Sequence, residues 1–315
     1  MVDYDNDNAG SLTHQQVTPM STDRPLRRHL AYLDWLYNPF RSWDVTRVYD
    51  LLSTDVATEN GLYLNLGYWS GEQTLDEACQ ALAALVAEHA AMGPGDRVLD
   101  VGFGFADQDL YWLRAYAPDH IQGLNITASQ VAVARGRVND LGLEERIDLR
   151  EGSATDMPLA SNSVDIVVAL ECAFHFKTRE RFFEEAFRVL RPGGRLVTAD
   201  IIPMPLSGDW RTRLKQRWSW GLVASKFAIP AENVYTRESY AEKLRARGFE
   251  DVEVASIRDR VYTPLHDYLS RHPETLDRLH PATRLPARLA LGMSAGTVYG
   301  GLDYVLAAAS KPRLL

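Results

Sequence analysis

Residues 97–106 read RVLDVGFGFA, and this stretch decides the fold. Its first five residues predict a buried strand, and the glycines at 102 and 104 end that strand before a helical pattern begins at Gln108. A strand that ends in a glycine turn and leads into a helix is typical of doubly wound sheets, which bind nucleotides at the carboxyl ends of their strands. We therefore predict a ligand-binding turn directly after residue 101.

The same alternation of strands and helices continues along the chain. Further strands are predicted at 121–125, 147–151, 164–170, 195–201, 252–257 and 304–308, and helices at 74–91, 108–116, 129–141 and 179–190. Strands that alternate with helices imply a parallel sheet with helices on both faces. The predicted fold class is α/β, a doubly wound (Rossmann-like), mainly parallel seven-stranded sheet with helical cap and lid insertions.

The predicted domain organisation is one binding domain with additions. Residues 1–24 are polar and predict a flexible tail, and residues 25–92 predict an N-terminal helical cap. Residues 93–315 form the binding domain, with lid insertions at about 203–236 and 263–295. The helix that begins near Leu26 has no obvious partner in the sheet, which leaves a homo-oligomer open.

Composition excludes several classes of protein. Of the 315 residues, 46% are hydrophobic and 24% charged, as in ordinary globular proteins. The formal net charge of −8 disfavours non-specific binding to nucleic acid or to an anionic membrane surface. An anionic ligand would therefore need a local basic patch. Two cysteines, too few for a disulfide framework, favour a cytoplasmic location. No segment reaches the ~20 apolar residues of a membrane span, so no integral membrane association is expected.

Two motifs outline a nucleotide site. Gly102 and Gly104 allow the backbone to approach a ligand closely, although a tight turn without a ligand is the alternative. The third glycine of a dinucleotide fingerprint is replaced by Asp107, which favours a ligand with a cationic or zwitterionic end. In the segment 153–158, SATDMP, the carboxylate of Asp156 could accept a hydrogen bond from an adenine amino group, or it could cap a turn before Pro158.

Together with residues 188–196, RVLRPGGRL, these motifs resemble the class I S-adenosylmethionine-dependent methyltransferases. Within that class, the sequence is similar to the small-molecule group that includes macrolide-sugar O-methyltransferases and sterol or prenyl C-methyltransferases. Asn125 stands where the family commonly has an acidic residue for the ribose, and Asn125 followed by Gln130 is similar to the alkene C-methyltransferases. The resemblance implies S-adenosylmethionine as cofactor, bound by Asp100, Gly102, Gly104, Asn125, Gln130, Ala154, Thr155, Asp156 and Glu171.

The segment 171–176, ECAFHF, follows the fourth strand and carries the candidate catalytic residues Glu171 and His175. If the acceptor is a hydroxyl, His175 is the natural general base, because its ordinary pKa lies near neutral pH. If the acceptor is a carbon–carbon double bond, a carboxylate such as Glu171 can stabilise the carbocation and take the adjacent proton. Glu171 could instead bind the cofactor amino group or cap a helix, and His175 could be purely structural.

Residues 210–220, WRTRLKQRWSW, combine three tryptophans with four cations. We predict that this segment forms a lid whose aromatic faces line an apolar acceptor. The alternative is an amphipathic helix with a solvated basic face. The candidate acceptor-binding residues are Tyr63, Tyr68, Trp69, Phe174, Trp210, Arg211 and Trp218.

The sequence therefore indicates a methyltransferase of natural-product metabolism that acts on a bulky apolar small molecule. The first hypothesis is carbon methylation of an isoprenoid or prenyl diphosphate double bond with Glu171 as base, which would add magnesium as a cofactor. The second is O-methylation of a sugar hydroxyl on a macrolide or polyketide with His175 as base. The third is a cofactor-binding protein without turnover.

Overall fold

The computed structural model describes residues 25–38, 43–52 and 56–313. Its strands are Arg97–Val101 (β1), His120–Asn125 (β2), Ile147–Glu151 (β3), Val164–Leu170 (β4), Leu190–Pro203 (β5), Glu250–Ser256 (β6) and Leu302–Ser310 (β7). They form a single seven-stranded sheet in the order β3-β2-β1-β4-β5-β7-β6. The first five strands pair in parallel, and β7 is antiparallel to both β5 and β6. The predicted fold class is confirmed.

The helices flank this sheet and extend beyond it. They are Pro25–Tyr37 (α1), Val45–Leu52 (α2), Leu75–His89 (α3), Asp107–Ala115 (α4), Ala128–Asp140 (α5), Arg179–Val189 (α6), Trp210–Lys226 (α7), Arg237–Ala246 (α8), Tyr262–Arg271 (α9), Pro281–Leu291 (α10) and Ala295–Val298 (α11). α3 begins with a capping box, in which the Thr74 side chain accepts from the Glu77 N–H and the Glu77 side chain accepts from the Thr74 N–H.

Each face of the sheet has its own apolar core. On one face α3, α4 and α5 pack on the strands around Trp112, which is fully buried and donates from Nε1 to the Ala83 carbonyl at 2.8 Å. On the other face α6 and α8 pack around Phe182 and Phe183. Complete burial of such side chains stabilises the fold by about 2–3 kcal/mol each. The two cores hold the strand ends rigidly in place, which positions the turns that follow the strands.

Two elements differ from the sequence prediction. Residues 190–194 were expected to end a helix and form a turn, but β5 already begins at Leu190, which pairs with Val164 ahead of a register shift. Gly193 adopts a φ of +83° there, and its N–H donates to the Lys311 carbonyl, so the glycine pair forms an irregular strand end. The helix α2 was not predicted.

The segments predicted as insertions contain α7 and α9 to α11, and they contact each other. Ser219 in α7 donates to the Val298 carbonyl in α11 at 2.6 Å. α1 packs against α7 through Trp35, whose Nε1 donates to the Lys226 carbonyl at 2.9 Å. In the segment predicted as a cap, α3 packs directly on the sheet. The predicted tail, residues 1–24, lies outside the described residues.

Candidate active site

A cavity of about 370 Å³ opens at the carboxyl ends of β1 to β4. The turns that follow these strands form its floor, and α2 and residues 62–65 close it from the N-terminal side. Its lining includes the predicted site residues Gly102, Gly104, Asn125, Gln130, Ala154, Thr155, Glu171 and His175. The chain thus brings together, around one cavity, most of the predicted cofactor residues and both predicted catalytic residues.

The glycine turn after β1 has a shape that other residues cannot adopt. Gly102 has a φ of +79°, and a Cβ there would lie 2.6 Å from the Cβ of Cys172. Gly104 has a φ of +57°, and a Cβ there would lie 3.2 Å from a methyl carbon of Leu64. L side chains rarely adopt these dihedral angles. Both glycines line the cavity, so a ligand bound there can approach their peptide groups.

Asn125 and Gln130 form a buried amide pair on the same wall. Asn125 Nδ2 donates to Gln130 Oε1 at 2.9 Å, and Asn125 Oδ1 accepts from the Thr127 N–H at 3.0 Å. The Nε2 of Gln130 is buried and has no hydrogen-bond partner. Since a buried donor without a partner is costly, this atom is a natural site for an acceptor oxygen of a ligand, such as a ribose hydroxyl.

The third turn contributes small side chains to the cavity. Ala154 and Thr155 line it, and the Thr155 hydroxyl contacts the Ser153 hydroxyl at 2.9 Å. Asp156, predicted to read an adenine amino group, has an exposed side chain and does not line the cavity. Its backbone N–H contacts the Ser153 carbonyl at 3.3 Å and closes the turn.

Asp100, another predicted cofactor residue, lies behind the glycine turn and is fully buried. Its carboxylate accepts from Gln108 Nε2 at 3.0 Å and lies beside Asp109. Burial raises the pKa of Asp100 to about 7, and burial together with the neighbouring Asp100 raises that of Asp109 well above its ordinary value. Both carboxyl groups are therefore biased toward their protonated forms. Asp100 therefore supports the turn from below and does not line the cavity.

Glu171 occupies a strained position at the end of β4. Its φ is +52°, and its N–H donates to the Ala199 carbonyl at 2.8 Å. The carboxylate oxygen Oε1 accepts from the Leu66 N–H at 2.7 Å and from the Tyr304 hydroxyl at 2.6 Å. Burial raises the pKa of Glu171 to about 7, although both hydrogen bonds act in the opposite direction. A carboxyl group with this pKa is well matched to accept a proton near neutral pH.

His175 lies across from α2 and forms a pair with Tyr49. Its Nε2 is 2.9 Å from the Tyr49 hydroxyl, and the ring is 6% exposed. Burial lowers the pKa of His175 to about 3, so the imidazole is neutral throughout the physiological range. Burial also raises the pKa of Tyr49, and the nearby Glu171 carboxylate raises it further. The phenol therefore keeps its proton and can donate it to His175.

None of the predicted acceptor-binding residues lines the cavity. Trp69 is buried against Tyr268, with ring centroids 5.0 Å apart, and Tyr63 packs on the same cluster. Phe174 is buried in the core beside His175, and Tyr68 packs at the edge of that core. Trp210, Arg211 and Trp218 lie on exposed parts of α7. Their predicted contact with an acceptor stays a prediction.

Several residues of the cavity were missed by sequence reasoning. They are Asp44, Val45, Thr46 and Tyr49 of the α2 region. A helical signal does exist, because Val48 and Leu51 are three residues apart and both buried. α2 is only eight residues long, however, and no motif in it indicates that Tyr49 would meet a residue 126 positions later.

Comparison with known proteins identifies the class of this chain. Residues 99–198 match a family described as a methyltransferase domain. The chain is 40% identical over 293 residues to the erythromycin 3''-O-methyltransferase of Saccharopolyspora erythraea, an alignment that covers 87% of this chain and 95% of that protein. The chain therefore belongs to the S-adenosylmethionine-dependent methyltransferases, and it is an enzyme of natural-product metabolism.

Solved structures share the same architecture. The [4+2]-cyclase SpnF superposes with a TM-score of 0.65 at 25% identity, covering 87% of this chain and 98% of that chain. The geranyl diphosphate C-methyltransferase of Streptomyces coelicolor A3(2) superposes with a TM-score of 0.64 at 16% identity, covering 82% of this chain and 95% of that chain. The second likeness concerns the fold alone.

The cavity fits the cofactor of this family. S-Adenosylmethionine needs a backbone that its methionine end can approach and polar partners for its ribose. The turn at Gly102 and Gly104 offers an accessible backbone for the methionine end. The Nε2 of Gln130, which has no hydrogen-bond partner, offers one polar partner for the ribose. No group of three or more His, Cys, Asp or Glu side chains that could hold a metal ion occurs in the described ranges. In residues 25–38, 43–52 and 56–313, no helix is long and apolar enough to cross a membrane.

Proposed function

We propose that this enzyme transfers a methyl group to a hydroxyl oxygen of a bulky, glycosylated polyketide-type natural product. The observation that carries the proposal is the position of Glu171, a partly buried carboxylate in the wall of the cavity whose pKa is raised to about 7. The similarity to a macrolide O-methyltransferase over 95% of that protein's length supports oxygen as the methylated atom.

The bound cofactor supplies an electrophilic methyl group on a positively charged sulfur. Held at the turn of Gly102 and Gly104, the cofactor would donate this methyl group to the acceptor oxygen and leave as a neutral thioether, with the electron pair of the broken carbon–sulfur bond on sulfur. The hydroxyl proton must leave, and Glu171 is the better matched acceptor, because proton transfer is most efficient when the pKa of the base lies near the working pH. His175, with a pKa lowered to about 3, is a weaker base at that pH.

The Tyr49–His175 pair then has an orienting role. Both side chains line the cavity, and the neutral pair presents fixed hydrogen-bonding groups to an acceptor hydroxyl. Holding the acceptor oxygen in line with the methyl group contributes to the rate independently of proton transfer. The lining residues Leu62, Leu64 and Phe176 provide the apolar surface that a bulky acceptor needs.

Carbon methylation of a prenyl double bond is the second candidate. The observation that favours it is the same carboxylate beside aromatic side chains, since Tyr49 and Phe176 line the cavity with Glu171. Aromatic faces can stabilise a developing carbocation, and Glu171 could take the proton that is then lost. A prenyl diphosphate acceptor would require magnesium.

The deciding experiment incubates the full chain with isotopically labelled cofactor and two acceptor panels. One panel contains desmethyl glycosylated macrolides, and the other contains prenyl diphosphates with magnesium. We expect label only with the first panel, and NMR should place the new methyl group on oxygen. A product with a new carbon–carbon bond would contradict the proposal.

The pH dependence tests the role of Glu171. Since the folded-state pKa of Glu171 is about 7, the carboxylate form accumulates above that pH, and kcat/KM should rise with a midpoint near 7. In Glu171→Gln this rise of kcat/KM with pH should disappear. In the control Glu144→Gln, at an exposed glutamate, it should persist. An unchanged rise of kcat/KM with pH in Glu171→Gln would rule out this carboxylate as the base.

A further inference from the structure

The helix α7 exposes apolar side chains and buries polar ones. A row of large apolar residues, each 46–62% exposed, consists of Leu206, Trp210, Leu214, Trp218 and Leu222. Neighbours in this row are four residues apart, and the four that belong to α7 therefore lie on one side of the helix. On the opposite side of the helix, Gln216 and Ser219 are buried, and Trp220 and Val223 are partly buried against the core. The exposed row is therefore a second apolar face, in addition to the one that packs on the protein.

Polar contacts attach α7 to the rest of the chain. Gln216 accepts from the Ser207 N–H at 2.8 Å and donates to the Pro205 carbonyl at 3.0 Å, and Ser219 donates to the Val298 carbonyl. The five apolar side chains lie outside the lining of the cofactor cavity. They serve neither the core nor that cavity. A row of exposed apolar residues of this size is typical of a contact surface.

The same helix carries a concentrated positive charge. Arg211, Arg213, Lys215 and Arg217 are exposed, and α7 contains no Asp or Glu, although the net charge of the chain is −8. None of the four forms an ion pair with the part of the chain that the structure describes. The guanidinium of Arg211 lies 5.3 Å from the centre of the Trp210 ring. This helix is the local basic patch that an anionic partner requires.

We propose that α7 docks on the surface of an anionic lipid bilayer. Tryptophan and leucine enter the boundary between headgroups and acyl chains, while arginine and lysine contact the lipid phosphates, and α7 offers both sets together. A second copy of the chain fits less well, because a two-fold contact through α7 would place its four cations against the same four cations.

The docked helix would lie next to the acceptor side of the active site. Phe227 directly follows α7, and its ring centroid is 6.5 Å from that of His175. An apolar acceptor concentrates in a bilayer, so docking through α7 places the cavity near that reservoir. This is a peripheral contact and requires no membrane-spanning segment.

Vesicle flotation of the full chain tests the proposal. Vesicles of phosphatidylcholine alone are compared with vesicles that also contain phosphatidylglycerol, at low and at high salt. We expect flotation with the anionic vesicles at low salt and a marked decrease at high salt, because salt screens the cations. Far-UV circular dichroism confirms that each variant is folded.

Paired variants separate the two parts of the surface. Arg213→Glu/Arg217→Glu should lower vesicle partitioning at least about tenfold, and the charge-matched control Arg114→Glu/Arg135→Glu should leave it nearly unchanged. Leu214→Ser/Leu222→Ser should also lower vesicle partitioning by about tenfold or more. The control is Leu141→Ser, at an exposed leucine that caps the C-terminus of α5, and it should leave partitioning unchanged.

Three outcomes would overturn the proposal. One is the absence of flotation with anionic vesicles at low salt, and another is equal flotation with neutral vesicles. The third is a concentration-dependent dimer that Leu214→Ser/Leu222→Ser dissociates, without vesicle binding by the wild-type chain. That result would assign α7 to a contact between subunits.

Discussion

The two walls of the cavity are built differently. The cofactor wall consists of turns at 102–105, 124–130 and 152–155, each directly following a strand of one parallel sheet. The acceptor wall combines the turn at 171–177 with α2, which comes from a distant part of the sequence. The first wall follows from the fold itself, since parallel strands end at a common edge. The second depends on how separate helices dock.

The walls also differ in electrostatics. The cofactor wall presents backbone groups and the neutral amides of Asn125 and Gln130. The acceptor wall contains three titratable groups, of which His175 is buried and Glu171 and Tyr49 are partly buried. Desolvation shifts the pKa of each toward its neutral form: Glu171 and Tyr49 upward, His175 downward. In their charged forms these groups lower the stability of the folded protein. Groups of this kind are typical of catalytic sites, which indicates that the acceptor wall has a catalytic role.

The largest expected effect comes from neutralising the carboxylate of the acceptor wall. Glu171→Gln keeps an oxygen for the Leu66 and Tyr304 donors but removes the proton acceptor, so kcat should fall by about a thousandfold. The same variant should be more stable at pH 8. Because the folded-state pKa is about 7 and the ordinary pKa of a glutamate is 4.5, the wild-type carboxylate lowers stability progressively as pH rises between these values.

The gain in stability should be on the order of 3 kcal/mol at pH 8 and should fall below about 1 kcal/mol at pH 5. Denaturant unfolding of both proteins at the two pH values measures it, with Glu144→Gln as control. If the variant is destabilised equally at both pH values, the ionised carboxylate of Glu171 does not destabilise the folded state.

The next largest effect tests the cofactor wall. Gly102→Ala places a Cβ at a φ of +79° and against Cys172, so the turn must shift. Strain of this kind amounts to about 1–2 kcal/mol before the clash is added, and we expect the dissociation constant for the cofactor to rise about a hundredfold. Calorimetric titration measures it.

Gly136→Ala is the matched control, because no atom lies within 4 Å of a Cβ at that helical position. It should bind the cofactor like the wild-type chain. Equal affinities for Gly102→Ala and the wild-type chain would mean that the turn does not touch the ligand.

Most residues predicted for the cofactor line one cavity, because the signals that place them at strand ends are local. A glycine pair after an apolar run indicates a turn, and Asn125 and Gln130 could be placed by their position at the next strand end. Asp156 and Asp100 show the limit of that reasoning. Both occupy the motif positions, yet Asp156 is exposed and Asp100 is buried against Asp109, since motif spacing does not fix where a side chain points.

The acceptor wall was predicted only where it continues a strand. Glu171 and His175 follow β4 and were found, whereas Tyr49 was not, because α2 is short and its place over the cavity depends on contacts with residues far along the chain. The tryptophans of α7 illustrate the same difficulty. They were predicted to line an acceptor, or alternatively to face the core of an amphipathic helix, yet Trp210 and Trp218 are exposed. Apolar spacing alone cannot distinguish a buried face from an exposed one.

A smaller effect is expected from the orienting pair. Tyr49→Phe keeps the ring but removes the hydroxyl that contacts His175 Nε2 at 2.9 Å. Loss of such a bond at the acceptor should lower kcat/KM by about thirtyfold, with the pH midpoint near 7 retained. Cofactor affinity, measured by titration, should change little. A loss of cofactor affinity as large as the loss of kcat/KM would place Tyr49 in the cofactor wall and erase the distinction between the walls.

The smallest effect concerns Gln130, where the cofactor wall has an unused donor. Gln130→Met preserves the length of the side chain but removes the free Nε2 and the oxygen that Asn125 donates to. One hydrogen bond to the ligand contributes about 0.5–1.5 kcal/mol, so cofactor affinity should fall about three- to tenfold while kcat at saturating cofactor stays unchanged. Gln130→Glu sharpens the test, because it restores an acceptor for Asn125 without restoring the donor. If Gln130→Glu binds the cofactor like the wild-type chain, Gln130 Nε2 does not donate to the ribose. The Asn125–Gln130 pair would then only stabilise the wall of the cavity, and another group would donate to the ribose.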